Sequence, residues 1–305
     1  MQANRTFYEE LKYQYRYGGT TTQLIYINVI IFLLTQIVLA FSRLTYSNID
    51  YYLYYSFYIN TELDKFIFAP FTLFTSIFAH ASIFHLLENM LFLYFAGKMF
   101  EMVFDKKRLL YLYILGGITG GLLELLAHSI LPAYQFEKES MVVGASGSIM
   151  AIFIALAFYR PNLEVRFFGV FPIKLIYLAL FFIFINIVTL GIADNIAHFA
   201  HLGGALFGAL SIIGISNKKD IITYSQMFTA RIKEFFKSLF KRNTHLKVKK
   251  GGRTRSTQFK SDEEYNLESK QRQEKTDAIL DKIAKSGYES LTKAEKDFLF
   301  NQSKK

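Results

Sequence analysis

The chain contains no cysteine. Disulfides and thiolate metal sites are therefore excluded. Charge is scarce as well: Asp, Glu, Lys and Arg supply 20% of the 305 residues, against 52% hydrophobic. Neither half of the sequence repeats the other, and the apolar runs carry few charges. Both absences argue against a transporter or channel. The opening stretch, Met1 to Gly19, is polar and aromatic, with no apolar core and no small-residue cleavage site. A removable signal peptide is not expected.

What is present is a series of apolar segments. A membrane-spanning helix needs roughly 20 apolar residues. Six candidates run Leu24 to Phe41, Ile83 to Val103, Leu109 to Leu131, Val143 to Phe158, Ile173 to Leu190 and Ile196 to Ile215. A long polar-aromatic loop, Ser42 to Ala79, separates the first two. The net charge of +10 is unevenly spread. Arg5, Lys12 and Arg16, then Lys106, Lys107 and Arg108, then Arg160, Arg166 and Lys174, and finally the tail after Ser216, all fall on one side of a six-span arrangement. Arg43, Lys65 and Lys138 on the other side are mixed with Asp50, Glu62, Asp64, Glu137, Glu139 and Asp194. The positive-inside rule then predicts a multi-pass integral membrane protein with both termini cytoplasmic.

Small residues mark the third, fourth and sixth segments: Gly116, Gly117, Gly120 and Gly121; Gly144 and Gly147; Gly203, Gly204 and Gly208. They let helix backbones approach closely in lipid. The pattern predicts an all-α polytopic protein in which these three segments form a tight inner cluster. Five regions follow: a cytoplasmic segment at 1–20, a membrane core at 21–215, a basic amphipathic juxtamembrane helix at 216–242, a mostly disordered linker at 243–277 and a small helical pair at 278–305. The juxtamembrane helix aligns Phe228, Ile232, Phe235 and Phe236, with Arg231, Lys233 and Lys237 beside them. This suits an anionic lipid surface. The helical pair, with Thr292 and Glu295 as a capping box, is too small for a core of its own and is expected to dock on a protein partner. Aromatic interleaving in the basic tail is poor, so nucleic acid is not expected as a partner.

Two polar spots stand out at membrane depth: Gly144-Ala145-Ser146-Gly147 and Ala200-His201-Leu202-Gly203-Gly204. A hydroxyl and an imidazole in hydrocarbon cost free energy and mark a functional site by default. Serine and histidine are the minimum pair for nucleophilic acyl transfer. Ser146 at a helix start also lies near backbone N–H groups that can stabilise an oxyanion. His201, Gly204 and Gly208 share one helical face. If that face meets the glycine-flanked fourth segment, Ser146 and His201 meet. A third group is His80, His85 and Asn89; the last two are stacked at i and i+4 and can donate hydrogen bonds to an oxyanion. Glu101, four residues after Gly97, reads as structural. His198 reads as a rim histidine, and with His201 it makes a poor zinc site. No carboxylate presents itself to orient His201, since Asp194 lies about two turns away. The pattern predicts a Ser–His dyad rather than a triad, and no zinc site.

Together these motifs resemble the rhomboid family of intramembrane serine proteases. The resemblance covers Leu24 to Ile215 and rests on His80-Ala-Ser-Ile-Phe-His85-Leu-Leu-Glu-Asn89, Gly97-x-x-x-Glu101, Gly144-Ala-Ser146-Gly147 and Ala200-His201-Leu-Gly-Gly204-x-x-x-Gly208. It implies a six-transmembrane-helix bundle, with Ser146 as nucleophile and His201 as general base. His85, Asn89 and the Ser146 N–H would form the oxyanion hole. The implied substrates are single-pass transmembrane proteins, cut near the outer end of the spanning helix, and the implied chemistry needs no metal and no cofactor. Two departures stand out. Phe71-Thr72 replaces the Trp-Arg pair often found in the first loop, and Met150 stands where many members place an aromatic under the histidine ring. A non-catalytic relative that binds membrane helices is the alternative, although such proteins typically lack the serine or the histidine.

Overall fold

A computed structural model of the chain describes residues 6–134, 141–167, 171–192, 196–239 and 262–302. Asp194, the loop at 135–140 and the basic stretch at 243–261 lie outside these residues. The chain divides into two units, 1–241 and 242–305.

The first unit is almost entirely helical. Helix α1 (Phe7–Tyr17) starts with a Thr6–Glu9 capping box and ends at Gly18. Helix α2 (Gly19–Thr45) follows at once. Gly19 has φ +84, and a Cβ there would lie 2.6 Å from the Glu101 carboxylate, so only glycine fits. Glu101 Oε1 accepts from the Thr21 N–H at 3.1 Å, closing the start of α2. The first loop is built from three short helices: α3 (Ile49–Phe57), α4 (Leu63–Phe66) and α5 (Thr72–Thr75). Helix α6 (Ile83–Glu101) is capped by Ser82, whose Oγ accepts from the His85 N–H. Helix α7 (Lys106–Ile130) is capped in the same way by Asp105.

The central helix is α8 (Ser146–Tyr159), eleven of whose residues from Gly147 to Ala157 are buried. Around it lie α9 (Leu175–Val188) and α10 (His198–Ser211). Helix α11 (Ile221–Leu239) ends the unit. Two small antiparallel ribbons join the helices. Strand β1 (Ile59–Asn60) pairs with β2 (Met141–Val142), tying the first loop to the entry of α8. Strands β3 (Glu164–Phe167) and β4 (Phe171–Lys174) form a hairpin between α8 and α9 that hydrophobic periodicity does not reveal.

Among the described residues, only α2 and α7 are individually long and apolar enough to cross a membrane. A third span results if α6 is joined to the segment Thr72–Phe78, at a bend of 88°. The fourth, fifth and sixth segments are shorter as helices than the sequence suggests, at 14 residues each for α8, α9 and α10. Such a helix is ~21 Å long, less than a hydrocarbon core of ~30 Å. The physical reason differs by element. Gly144, at φ +132, ends the extended approach and delays the start of α8 to Ser146. The β3–β4 hairpin absorbs Ile173, and Gly214 at φ +79 turns the chain after α10.

Three helices meet backbone to backbone. A Cβ on Gly204 (α10) would sit 2.0 Å from the Gly147 carbonyl oxygen (α8), and one on Gly208 would sit 2.3 Å from that of Ala151. On α7, a Cβ at Gly116 would touch Ala151 Cβ at 2.3 Å, and one at Gly120 would touch the Ala200 carbonyl oxygen at 2.6 Å. Without a hydrophobic drive between helices in lipid, this dense contact is what holds α7, α8 and α10 together. Tyr113 of α7 adds a polar tie: its hydroxyl donates to the Ile77 carbonyl at 2.9 Å and accepts from Asn28 Nδ2 of α2 at 2.9 Å.

The start of α11 is fixed to the start of α7. Arg108 Nη1 and Nη2 meet the two Asp220 carboxylate oxygens at 2.9 and 3.1 Å. Asp220 also accepts from the Ile222 and Thr223 N–H groups, so it caps α11. Burial opposes its charge, but the Arg108 and Thr223 hydrogen bonds outweigh that and hold the carboxyl at about 2. Along α11, Tyr224, Phe228, Phe235 and Phe236 are exposed.

The second unit pairs α12 (Asp262–Ser286) with α13 (Lys293–Gln302). Helix α12 begins ahead of Ala278, where the sequence suggests a helix; the intervening Glu, Lys, Gln and Arg residues are strong helix formers. Ile279 and Leu291 are its buried apolar residues among those described. Glu295 bonds the Thr292 N–H and Lys282 Nζ, and those partners hold its carboxyl at about 2.

Candidate active site

Ser146 is the first residue of α8. Its neighbour Ala145 offers no side-chain cap, so the first N–H groups of α8 have no intrahelical acceptor and point toward the serine end. Gly144 delivers the chain to this point. Its N–H donates to the Ser76 carbonyl at 3.1 Å, and its positive φ turns the backbone into the helix. A Cβ on Gly144 would lie 2.8 Å from His85 Cε1, 2.9 Å from His85 Nε2 and 3.9 Å from Ser146 Oγ. The missing side chain thus lets the His85 ring and the Ser146 hydroxyl approach the same point.

His85 is half-buried and Asn89 is buried, on successive turns of α6. Asn89 Nδ2 donates to the His85 carbonyl at 2.8 Å. An amide nitrogen carries two protons, so a second donor remains on it. His80 is buried, its ring 5.2 Å from that of His85 and edge-on. It packs against the His85 ring.

His201 lies on α10, three residues before Gly204. The contact of Gly204 with Gly147 brings the two backbones together one residue past Ser146. Gly147 itself faces the Ala200 carbonyl oxygen, at 3.0 Å from its Cβ position. The residues next to Ser146 and His201 are therefore in mutual contact. Met150, one turn after Ser146, is buried in the core that α8 shares with its neighbours.

Two polar residues that periodicity passes over complete the surroundings. Asn186 of α9 is buried, and its Oδ1 lies 2.8 Å from His201 Nδ1 and 3.1 Å from His198 Nδ1. Glu124 of α7 is buried, and its Oε2 accepts from the Ala200 N–H at 2.7 Å. A carboxylate at this end of α10 satisfies an orphan donor and opposes the positive end of the helix dipole. His128 lies 3.4 Å from the other Glu124 oxygen. The signal for both residues was a single polar group inside an apolar run. His198 requires a correction: it is buried, not at the rim, because Asn186 Oδ1 and Thr189 Oγ1 satisfy its Nδ1 inside the protein.

Beside the serine turn lies a cavity of ≈ 20 Å³, lined by Ser76, Gly117, Gly144, Gly147 and Ala200 among others. Its size and its backbone polar groups suit a water molecule.

A family model described as the Rhomboid domain matches residues 68–218. A second model, for a family of unknown function (DUF6576), matches residues 260–305. Similar curated proteins come from Arabidopsis thaliana. RHOMBOID-like protein 12, mitochondrial, is 31% identical over 150 residues, which is 46% of this chain and 45% of that protein. RHOMBOID-like protein 1 is 35% identical over 138 residues, covering 45% and 32% respectively. RHOMBOID-like protein 2 is 36% identical over 131 residues, covering 42% and 37%. The chain spans less than half the length of these relatives. The region matched by the Rhomboid-domain model contains the serine turn, the histidine helix and the apolar helices between them, and the chain is an integral membrane protein of the rhomboid family.

Proposed function

We propose that this protein is an intramembrane serine endopeptidase that cleaves transmembrane protein substrates near the outer membrane face through a Ser146–His201 dyad. The observation that carries the reading is the contact of Gly147 with Gly204. It joins α8 and α10 beside the two candidate residues, at the end of α8 where backbone N–H groups are available.

The chemistry follows from the groups at hand. Ser146 Oγ attacks the scissile carbonyl carbon while His201 takes its proton. The carbonyl oxygen becomes an oxyanion, and the Ser146 N–H, His85 and Asn89 stabilise it. The tetrahedral adduct then collapses. The carbon–nitrogen bond breaks, and His201 returns the proton to the leaving amine. The remaining acyl ester is attacked by water, which gives its proton to His201. Ser146 is regenerated and the new carboxyl terminus leaves. Water is scarce in hydrocarbon, so the polar groups must line a hydrated pocket. The cavity beside Gly144 supports that requirement. In this reading six segments cross the membrane with both termini cytoplasmic, and the short helices α8, α9 and α10 complete the bundle.

The test uses purified full-length protein and a fluorogenic transmembrane peptide. Wild type should cleave it, and Ser146→Ala and His201→Ala should not. A fluorophosphonate should label wild type and leave Ser146→Ala unlabelled. Turnover in Ser146→Ala equal to wild type rules out the dyad. Binding of the peptide without cleavage by wild type identifies a non-catalytic membrane-helix binder instead.

A further inference from the structure

We infer that Asn186 is a positioning residue for the base: one amide oxygen, carried by α9, fixes the proton of both His201 and His198 on Nδ1. The inference rests on the protease reading above for its catalytic consequence, and on the hydrogen-bond geometry for the rest.

The orientation of the amide is set by its other half. Asn186 Nδ2 donates to the Phe182 carbonyl at 2.8 Å, so Oδ1 is the atom turned toward the imidazoles. That oxygen has no proton to give. Its contacts with His201 Nδ1 at 2.8 Å and His198 Nδ1 at 3.1 Å therefore require N–H at both Nδ1 positions. Thr189 agrees independently. Its hydroxyl donates to the Ile185 carbonyl at 2.7 Å, so its oxygen accepts from His198 Nδ1 at 3.3 Å. A neutral imidazole with its proton on Nδ1 has its lone pair on Nε2. At His201 that lone pair is the acceptor the serine proton needs.

The helix that carries the amide makes the point sharper. Of α9, only Leu175, Ala179 and Asn186 are buried. Tyr177, Phe181, Phe184 and Ile187 are exposed and face lipid when the protein is in a membrane. A lone amide on such a helix is costly unless it is bonded. Its two imidazole partners supply that bonding. Asn186 thus does for the candidate base what a carboxylate does in a triad, without placing a charge in hydrocarbon.

The test compares Asn186→Leu, which removes the acceptor at similar volume, with Asn186→Asp, which keeps an oxygen there. Two readouts are taken on full-length protein in detergent. One is the ¹⁵N spectrum of histidine-labelled protein, with His198 and His201 assigned by single substitutions. The other is the rate at which a fluorophosphonate labels Ser146. Wild type should show Nδ1–H at both residues. Asn186→Leu should lose that signature and label ~10–10²-fold more slowly, a part of the ~10²–10⁴-fold that general-base catalysis supplies. Asn186→Asp should keep Nδ1–H and recover most of the rate. An Nε2–H form at His201 in wild type overturns the inference. So does an unchanged spectrum and labelling rate in Asn186→Leu, or a folded Asn186→Asp that recovers neither readout. If wild type is never labelled but Asn186→Leu still shifts both histidines, the positioning stands and the protease reading falls.

Discussion

Replacing Gly204 with alanine tests the helix contact on which the site depends. The added Cβ would stand 2.0 Å from the Gly147 carbonyl oxygen, 2.8 Å from its carbon and 3.0 Å from its Cα. Ordinary contact begins at 3.4 Å, so relieving the carbonyl clash requires a shift of about 1.4 Å. Both partners are backbone, and no rotamer change can absorb the shift. Either α8 and α10 part, or one slides along the other. Overpacking of this kind typically costs ~1–3 kcal/mol of stability. The effect on rate should be larger, because a misplacement of ~1 Å can cost ~10²-fold when reacting groups must be aligned. The assay is cleavage of a fluorogenic transmembrane peptide together with thermal unfolding in detergent. The expected result is a protein that still folds but turns over ~10²-fold more slowly. Wild-type turnover and unchanged unfolding temperature in Gly204→Ala would mean that the approach of α8 to α10 does not set the geometry of the dyad.

Asn89→Ala should lower turnover by ~10²–10³-fold if the amide supports the oxyanion, and unchanged turnover refutes that role while leaving Ser146 and His201 in place. Ser82→Ala removes the cap of the helix that carries His85 and Asn89, and unfolding measurements should show a loss of ~0.5–2 kcal/mol. Arg108→Met leaves the buried Asp220 carboxylate without its cation; a loss of ~3–5 kcal/mol is expected, seen as earlier proteolysis near α11. The same pair has a defined acid dependence. The Asp220 carboxyl is depressed to about 2 in the folded protein, below its ordinary 3.8. Its contribution is therefore complete above pH 4 and lost as the pH falls through about 2. Protease sensitivity near α11 that rises already between pH 7 and pH 5 contradicts the assignment to this pair.

Sequence reading reached the site through residues that stand near one another along the chain. Gly144, Ser146 and Gly147 form one turn, and His201, Gly204 and Gly208 form one helix face. Spacing alone brings each set together. Asn186 and Glu124 escaped because their partners are set by packing: Glu124 bonds Ala200 across 76 positions. A single polar residue in an apolar run says that a partner exists, not which one. His198 was misplaced for the same reason, since its burial depends on the seat of α9. The start of α6 was legible because the Ser82 cap is local, whereas α7 starts at Lys106, ahead of the Leu109 that the apolar run gives. Helix lengths were overestimated where backbone conformation decides, as at Gly144 and Gly214. The β3–β4 hairpin escaped because each strand is only four residues long, and Glu164, Arg166 and Lys174 read as a charged connection between two apolar runs.

Helix α8 is too short to touch both faces of a bilayer, and protein surrounds it on nearly every side. Its depth is therefore inherited from the long neighbour α7, against which it packs, rather than negotiated with lipid. In membranes of different thickness the outer helices can tilt while the serine keeps its distance from the ends of its neighbours. For the proposed protease, that constant distance would act as a ruler for where along a guest helix the cut falls.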